Sequence, residues 1–238
     1  MTGSLQAWIA LLGGLATALL GILKYFNYRS RRDRMALVGQ SFSATVDALA
    51  SKDEVKQLAA AILLRRFFDR HTEQGTAGAP YQQEAIRVIA ALLRACEPGE
   101  FQKILADGLA SAPDLLGADL QQCNLTNAYL GDRRGRRVNL SDADLYQADL
   151  TRASLRQATA RKTVFKGAVL TKTVFEDAVL TDADFRDAKL EGARFAGATI
   201  GGARFAGASH IPPAVAKLLD EAQRAPEGTT VPADPDAE

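Results

Sequence analysis

The spacing of apolar positions changes character three times along the chain. From Leu5 to Phe26 it reads LQAWIALLGGLATALLGILKYF, in which Gln6, Thr17 and Lys24 are the clearly polar residues. At ~1.5 Å rise per residue this run predicts a helix of roughly 33 Å, enough for a hydrocarbon core of about 30 Å. Trp8 lies near one boundary and Tyr25 and Tyr28 near the other, where aromatic rings favour the membrane interface. No charged side chain precedes the run, whereas Lys24, Arg29, Arg31, Arg32 and Arg34 close it. That asymmetry predicts a single-pass anchor over 1–34 with the bulk of the chain cytoplasmic. A cleavable signal would carry its positive charge ahead of the apolar run. Within the span, Gly13, Thr17 and Gly21, and Ala10, Gly14 and Ala18, recur four apart. Such small-residue faces allow a homodimer of membrane helices.

Over 35–112 the apolar residues recur at three and four, the helical period. Ser51 and Glu54 read as a capping box, followed by a stripe of Val55, Leu58, Ile62, Leu63 and Phe67. The stretch 71–78 is a break, and Pro80 suits the first turn of a helix carrying Ile86, Ile89, Leu92 and Leu93. Pro98 and Gly99 punctuate again before Phe101, Ile104, Leu105 and Leu109. Three or four amphipathic helices are expected here. Arg65 and Arg66 read as the solvated edge of one of them, their stems lying over apolar neighbours.

From Leu115 the period is five. Large apolar residues stand at Leu145, Leu150, Phe165, Leu170, Phe175, Leu180, Phe185, Leu190, Phe195, Ile200 and Phe205, each with a small residue two places earlier. Fragments such as ADLQQ, ADLYQ, ADLTR, ADFRD and ARFAG recur in phase. Neither a helix nor a plain strand has this period, so each unit must contain its own turn. The pattern resembles the pentapeptide-repeat family, Ala-(Asp/Asn)-Leu-x-x, over 113–212. The resemblance implies a mainly β solenoid, a right-handed quadrilateral β-helix with one repeat per face and four per coil. The large residue and the Ala would point inward. Residues twenty apart would stack, giving columns Phe165/Phe185/Phe205 and Phe175/Phe195. A solenoid needs capped ends. The helical segment is expected to cap the first coil and a helix over 213–224 the last, with a disordered acidic tail over 225–238.

Two stretches depart from the repeat. Arg133, Arg134, Gly135, Arg136 and Arg137 occupy one unit but cannot fill it, since Arg133 would take the small inward position. Burying an unpaired guanidinium is prohibitive, so a bulged loop is expected. Its four arginines are candidates for binding an anionic group. Val164, Val169, Val174 and Val179 replace the usual Asp or Asn on consecutive faces, and an exposed apolar girdle is expected there, a candidate contact surface or simply a β-branched preference.

Charge and chemistry narrow the function. The formal net charge is +1, which fits neither a general nucleic-acid binder nor an acidic rod. Residues 113–212 hold twelve acidic and fourteen basic side chains. Cys96 and Cys123 form no CxxC pair, and His71 and His210 have no identifiable Ser or Cys partner; His210 falls at a core position of the last repeat. No catalytic, metal or cofactor-binding constellation is legible. The reading is a non-enzymatic, membrane-anchored interaction or scaffold protein with an unidentified protein partner. The competing reading, implied by relatives of the same family, is a DNA-mimicking topoisomerase (gyrase) binder of the quinolone-protection type. The balanced charge of the repeats weighs against it.

Overall fold

The computed structural model describes residues 2–69, 71–72, 74, 81–112, 114–132 and 137–222, with backbone alone at 2–23, 26, 218 and 220–222. Among the described residues five helices flank a column of turns. They are α1 (Thr2–Leu49), α2 (Glu54–Leu64, extended by a 3₁₀ turn over Arg65–Phe67), α3 (Gln82–Ala95), α4 (Glu100–Leu109) and α5 (Pro213–Ala222).

The helix α1 runs through the boundary expected at 34/35 without a break. Its 48 residues reach roughly 72 Å at 1.5 Å per residue. Residues 24, 25 and 27–37 are all exposed, and α1 joins the body from Val38 onward, burying Val38, Thr45 and Leu49 and packing Phe42 against Phe67 and Tyr81. Among the described residues no helix is long and apolar enough to cross a membrane. The side chains of 5–23 and 26, on which the expected anchor rests, lie outside the described residues, as does the acidic tail over 225–238.

The bundle corrects two expectations. Asp53, not Ser51, caps α2: its carboxylate accepts the N–H groups of Val55 and Lys56, while the Ser51 hydroxyl accepts that of Asp53. An aspartate two residues nearer the first turn competes better for those free donors. The stripe of Val55, Ile62 and Leu63 faces outward, 75%, 53% and 44% exposed. The buried face of α2 is Ala60, Ala61 and Leu64, continued by Phe67 and Phe68, because two small residues let it lie close against α1 and α4. In α3, Ala85, Ile86, Ile89, Ala90 and Leu93 turn inward, as do Leu105 and Leu109 of α4. Bundle and repeats share one continuous apolar core.

In the repeats, the carbonyl of each large residue accepts the N–H three places on, as in Leu150 to Ala153. The third residue of each such turn is left-handed, with φ between 55° and 74° over 117–207. Gly takes it at six places and Asp, Asn, Gln, Lys or Arg elsewhere; no β-branched residue does, since that conformation crowds Cβ. Among the described residues the β-structure is one-residue parallel bridges rather than extended strands. A turn in every five residues leaves no room for more.

Bridges link residues 20 apart from Asn139↔Thr159 upward, which makes each coil four-sided. Phe165, Phe185 and Phe205 stack at 4.9 and 4.8 Å with interplanar angles of 8°, and Phe175 stacks on Phe195 at 4.9 Å. This matches the spacing of neighbouring β-strands, about 4.8 Å, so ring and backbone periodicity coincide. The two columns meet edge to face, with Phe175 and Phe185 at 5.7 Å and 88°. Where Thr replaces the inward Ala, its hydroxyl is satisfied: Thr163 and Thr173 donate to the carbonyls of Leu140 and Leu150.

The lower edge of the first coil has no coil beneath it. Arg94 of α3 donates to the carbonyls of Gln121 and Asp119 and pairs with the Asp119 carboxylate at 2.9 Å. The buried Gln102 of α4 donates to those of Asn124 and Thr126, and the Leu93 carbonyl accepts the Asn124 N–H. In the stack above, the same carbonyl positions accept from two N–H groups of the coil below, as Asp144 and Tyr146 do from Leu120 and Gln122. Two side chains therefore stand in for a missing coil. At the other end α5 buries Val215, while His210 is exposed with φ 56° rather than in the core, because the chain leaves the last coil at Ser209.

Replacing Phe185 with Asp puts an unpaired charge into the ring column, and the coils should lose their cooperative thermal transition by circular dichroism. A normal melt would contradict the stacking. Gln102→Leu, which leaves two carbonyls without donors, should lower unfolding free energy by about 1–3 kcal/mol in urea titration, with faster amide exchange in 119–127.

Candidate interaction surface

Each face offers the residue before the large one and the two turn residues after it. An Asp or Asn in the first place folds its side chain back onto the turn. Asp144 accepts the N–H of Tyr146, Asp149 that of Thr151 and Asn139 that of Ser141. These carboxylates therefore serve the backbone before any ligand.

Val164, Val169, Val174 and Val179 are half-buried rather than fully exposed. Each bridges the coils below and above: Val164 lies between Asp144 and Asp184, Val169 between Asp149 and Lys189. Val174 lies between Ser154 and Arg194, and Val179 between Thr159 and Thr199. The girdle is thus a single apolar ring hemmed by polar rows, and its side chains are partly covered by those rows.

The arginine pentad shows itself in the register. Below it, bridges join Asp119↔Asp144, Asn124↔Asp149 and Tyr129↔Ser154, a step of 25 rather than 20. The step is one repeat longer than in the coils above, whose columns continue in phase. Residues 133–136 lie outside the described residues; Arg137 is exposed. The chain departs at Gly131, where a Cβ would come within 2.6 Å of the Arg156 carbonyl oxygen. Only glycine lets the backbone pass so close. Beside it, Asp132 Oδ1 is buried without a hydrogen-bond partner among the described residues.

Ion pairs between coils escaped the sequence reading. Glu176 lies between Arg156 at 3.7 Å and Arg194. The buried Asp184 receives hydrogen bonds from the Arg186 guanidinium at 2.7–3.1 Å and from Arg204 at 3.2 Å. The Arg186 hydrogen bonds hold the Asp184 carboxyl below its ordinary value; burial opposes them, and the Arg186 N–H and the Arg204 charge add to the lowering. The signal was available, since Arg156/Glu176 and Asp184/Arg204 stand one coil apart in the sequence. It becomes visible only when the columns are laid over one another.

The remaining candidates for chemistry are dispersed. Burial pushes the Cys123 thiol up to about 12, and its Sγ lies 3.4 Å from the Ala90 carbonyl oxygen. Burial likewise raises Cys96. His71 is exposed. Among the described residues no group of three or more His, Cys, Asp or Glu is placed to hold a metal ion. A groove of about 160 Å³ between α4 and the first coil is lined by Lys103, Asp107, Thr126 and Asn127.

Comparison with known proteins agrees with this geometry. The family profile described as pentapeptide repeats matches in eight copies, over 114–157, 139–177, 148–187 and 161–197. Among curated proteins none is significantly similar in sequence. Solved structures with likeness include HetL, a pentapeptide repeat protein involved in heterocyst differentiation regulation from the cyanobacterium Nostoc sp. strain PCC 7120. It is 32% identical over 42% of this chain and 47% of its own, with TM-score 0.28. A pentapeptide repeat protein of the Arabidopsis thaliana thylakoid lumen is 22% identical over 50% of this chain and 83% of its own, TM-score 0.40. QnrB1, a plasmid-mediated fluoroquinolone resistance protein, is 24% identical over 40% of this chain and 59% of its own, TM-score 0.23. The chain thus spans about half the length of HetL and under two thirds of QnrB1.

The Asp184 cluster gives a pH prediction. Its folded value lies below the unfolded one, about 3.9. Its contribution is therefore complete above that value and is lost as pH falls through the folded value. Asp184→Asn should flatten the acid limb of stability below about pH 4 and leave it unchanged in slope at neutral pH. An identical acid limb in thermal melts would contradict the pairing.

Proposed function

The segment 114–197 belongs to the pentapeptide-repeat family, and from that premise we propose that the chain is a non-enzymatic interaction or scaffold protein held at a membrane by α1, with the solenoid as its recognition element. The observation that carries the recognition reading is the arginine pentad. The coil that contains it is 25 residues long rather than 20, and four of the five residues of that extra repeat are arginines. An anionic patch on a protein partner matches that chemistry. The anchor reading is supported by the apolar run from Leu5 to Phe26 and by the cations that follow it on the exposed length of α1. It places the body of the protein on the cytoplasmic side.

The competing reading is a topoisomerase binder that imitates DNA. A rod of that kind needs a strongly acidic surface, and here twelve acidic residues face fourteen basic ones over 113–212.

Two experiments test the proposal. Deleting residues 1–34 should move the protein from the membrane fraction to the soluble fraction; a full chain already soluble without detergent would overturn the anchor. Cross-linking capture from solubilised membranes should yield a partner that is lost when Arg133, Arg134, Arg136 and Arg137 are Ala. Capture of gyrase subunits by both forms would establish the competing reading instead.

A further inference from the structure

We propose that the acidic segment 225–238 of this chain docks on the side of the solenoid that carries Leu150, Leu170 and Leu190, held there by Arg152, Lys172 and Lys189. Between Asp149 and Glu176 the chain carries six cations and no carboxylate, so one whole coil is a cationic belt. Arg156 pairs with Glu176, whereas Arg152 and Lys172 have no ion-pair partner among the described residues, and neither has Lys189 one coil higher. All three are exposed. They share one side. Lys189 bridges Val169 below and Ser209 above, and Arg152, Lys172 and Gly192 stand over one another in the turn that follows. Gly192 is left-handed, with φ 66°, and a Cβ there would lie 3.2 Å from Lys172 Cγ. The glycine leaves room for the Lys172 stem to run up the column towards the last coil.

Place and charge select the occupant. The chain leaves the last coil on this same side, at Ser209 above Lys189, and passes through α5 towards 225–238. That segment carries Glu227, Asp234, Asp236 and Glu238 and no cation. Arg152 lies three coils below Ser209, roughly 14 Å at about 4.8 Å per coil. The 10 residues of α5 add about 15 Å at most. From Ala222 to Asp234 the chain can span about 40 Å at ~3.3 Å per residue, so the carboxylates reach all three cations whichever way α5 points. The arginines of the last coil are already engaged, Arg194 by Glu176 and Arg204 by Asp184. The carboxylates native to this side leave the three cations unpaired. Asp149 accepts the N–H of Thr151, and Glu191 forms no ion pair with any of them. Exposed pairs of this kind are individually weak. A tether nevertheless holds the segment at an effective concentration of about millimolar, enough for partial occupancy. While docked, the segment closes this side of the solenoid to an anionic partner.

The test uses the full chain in detergent, with the acylation rate of each lysine read by mass spectrometry. Glu227→Gln, Asp234→Asn, Asp236→Asn and Glu238→Gln together should speed acylation of Lys172 and Lys189 about twofold, as partial occupancy by a tethered segment requires. Lys103 of α4 should not change. The difference should vanish at about 1 M salt, where the screening length is about 3 Å. Carbodiimide coupling of the unaltered chain should join Lys172 or Lys189 to residues 227–238 within one copy. Equal acylation rates in the two forms, or coupling of those carboxylates to other lysines alone, would overturn the proposal. Coupling that joins only separate copies would overturn it in favour of a contact between chains. Protection that needs anionic vesicles would overturn it in favour of a lipid surface. Arg133, Arg134, Arg136 and Arg137 enter none of these readouts, so the recognition reading stands or falls separately.

Discussion

Everything in the repeat region depends on making a corner every five residues. The corner requires a left-handed third residue, and the large residue opening each turn must then face inward. Two demands on one unit leave little freedom: an apolar group inside, a small one two places before it, and no branched Cβ at the left-handed site. Once the corner repeats, four units close a square and the fifth lies over the first. The hydrogen bonds between coils and the stacked phenyl rings then share one spacing, close to 4.8 Å. Backbone pairing and core packing reinforce each other here because both are set by the same rise.

The same constraint creates the problem at the ends. A stack of one-residue bridges leaves carbonyls and amides unsatisfied at its first and last coils, and a buried unpaired carbonyl is costly. The chain answers with Arg94 and Gln102, whose donors fall on carbonyls that a lower coil would have served. The helical bundle is therefore the floor of the solenoid, and its apolar core continues into the first coil. It also explains how the first coil can be 25 residues long without losing the columns. A whole added pentad preserves the phase, whereas an addition of fewer residues would shift every inward side chain above it.

The repeat, its phase and the stacked phenylalanine columns were legible in the sequence, because each follows from identical local geometry at identical intervals. The helical segment was less so. Val55, Ile62 and Leu63 have helical spacing and face outward, since periodicity marks a stripe but not which side the neighbouring helices take. The capping choice between Ser51 and Asp53 turned on an offset of two residues. The valine girdle was read as exposed because its position in the repeat faces outward; polar rows from two neighbouring coils cover it in part. The pairs Arg156–Glu176 and Arg204–Asp184 were hidden because they join residues a full coil apart. The part played by Arg94 and Gln102 had no local signal, as it exists only where bundle and coil meet.

The register is the central claim, and paired cysteines read it directly. The 25-residue step places residue 119 beside residue 144, and the adjoining face holds residue 139. Bridged residues in neighbouring coils lie within the span of a disulfide, whose Cα atoms are usually about 4.4–6.8 Å apart. Asp119→Cys combined with Asp144→Cys should therefore oxidise to an intramolecular disulfide, and Asp119→Cys combined with Asn139→Cys should remain reduced. The opposite result would mean that the arginine pentad lies within the coil, and the four-sided stack described above would be wrong from its first turn.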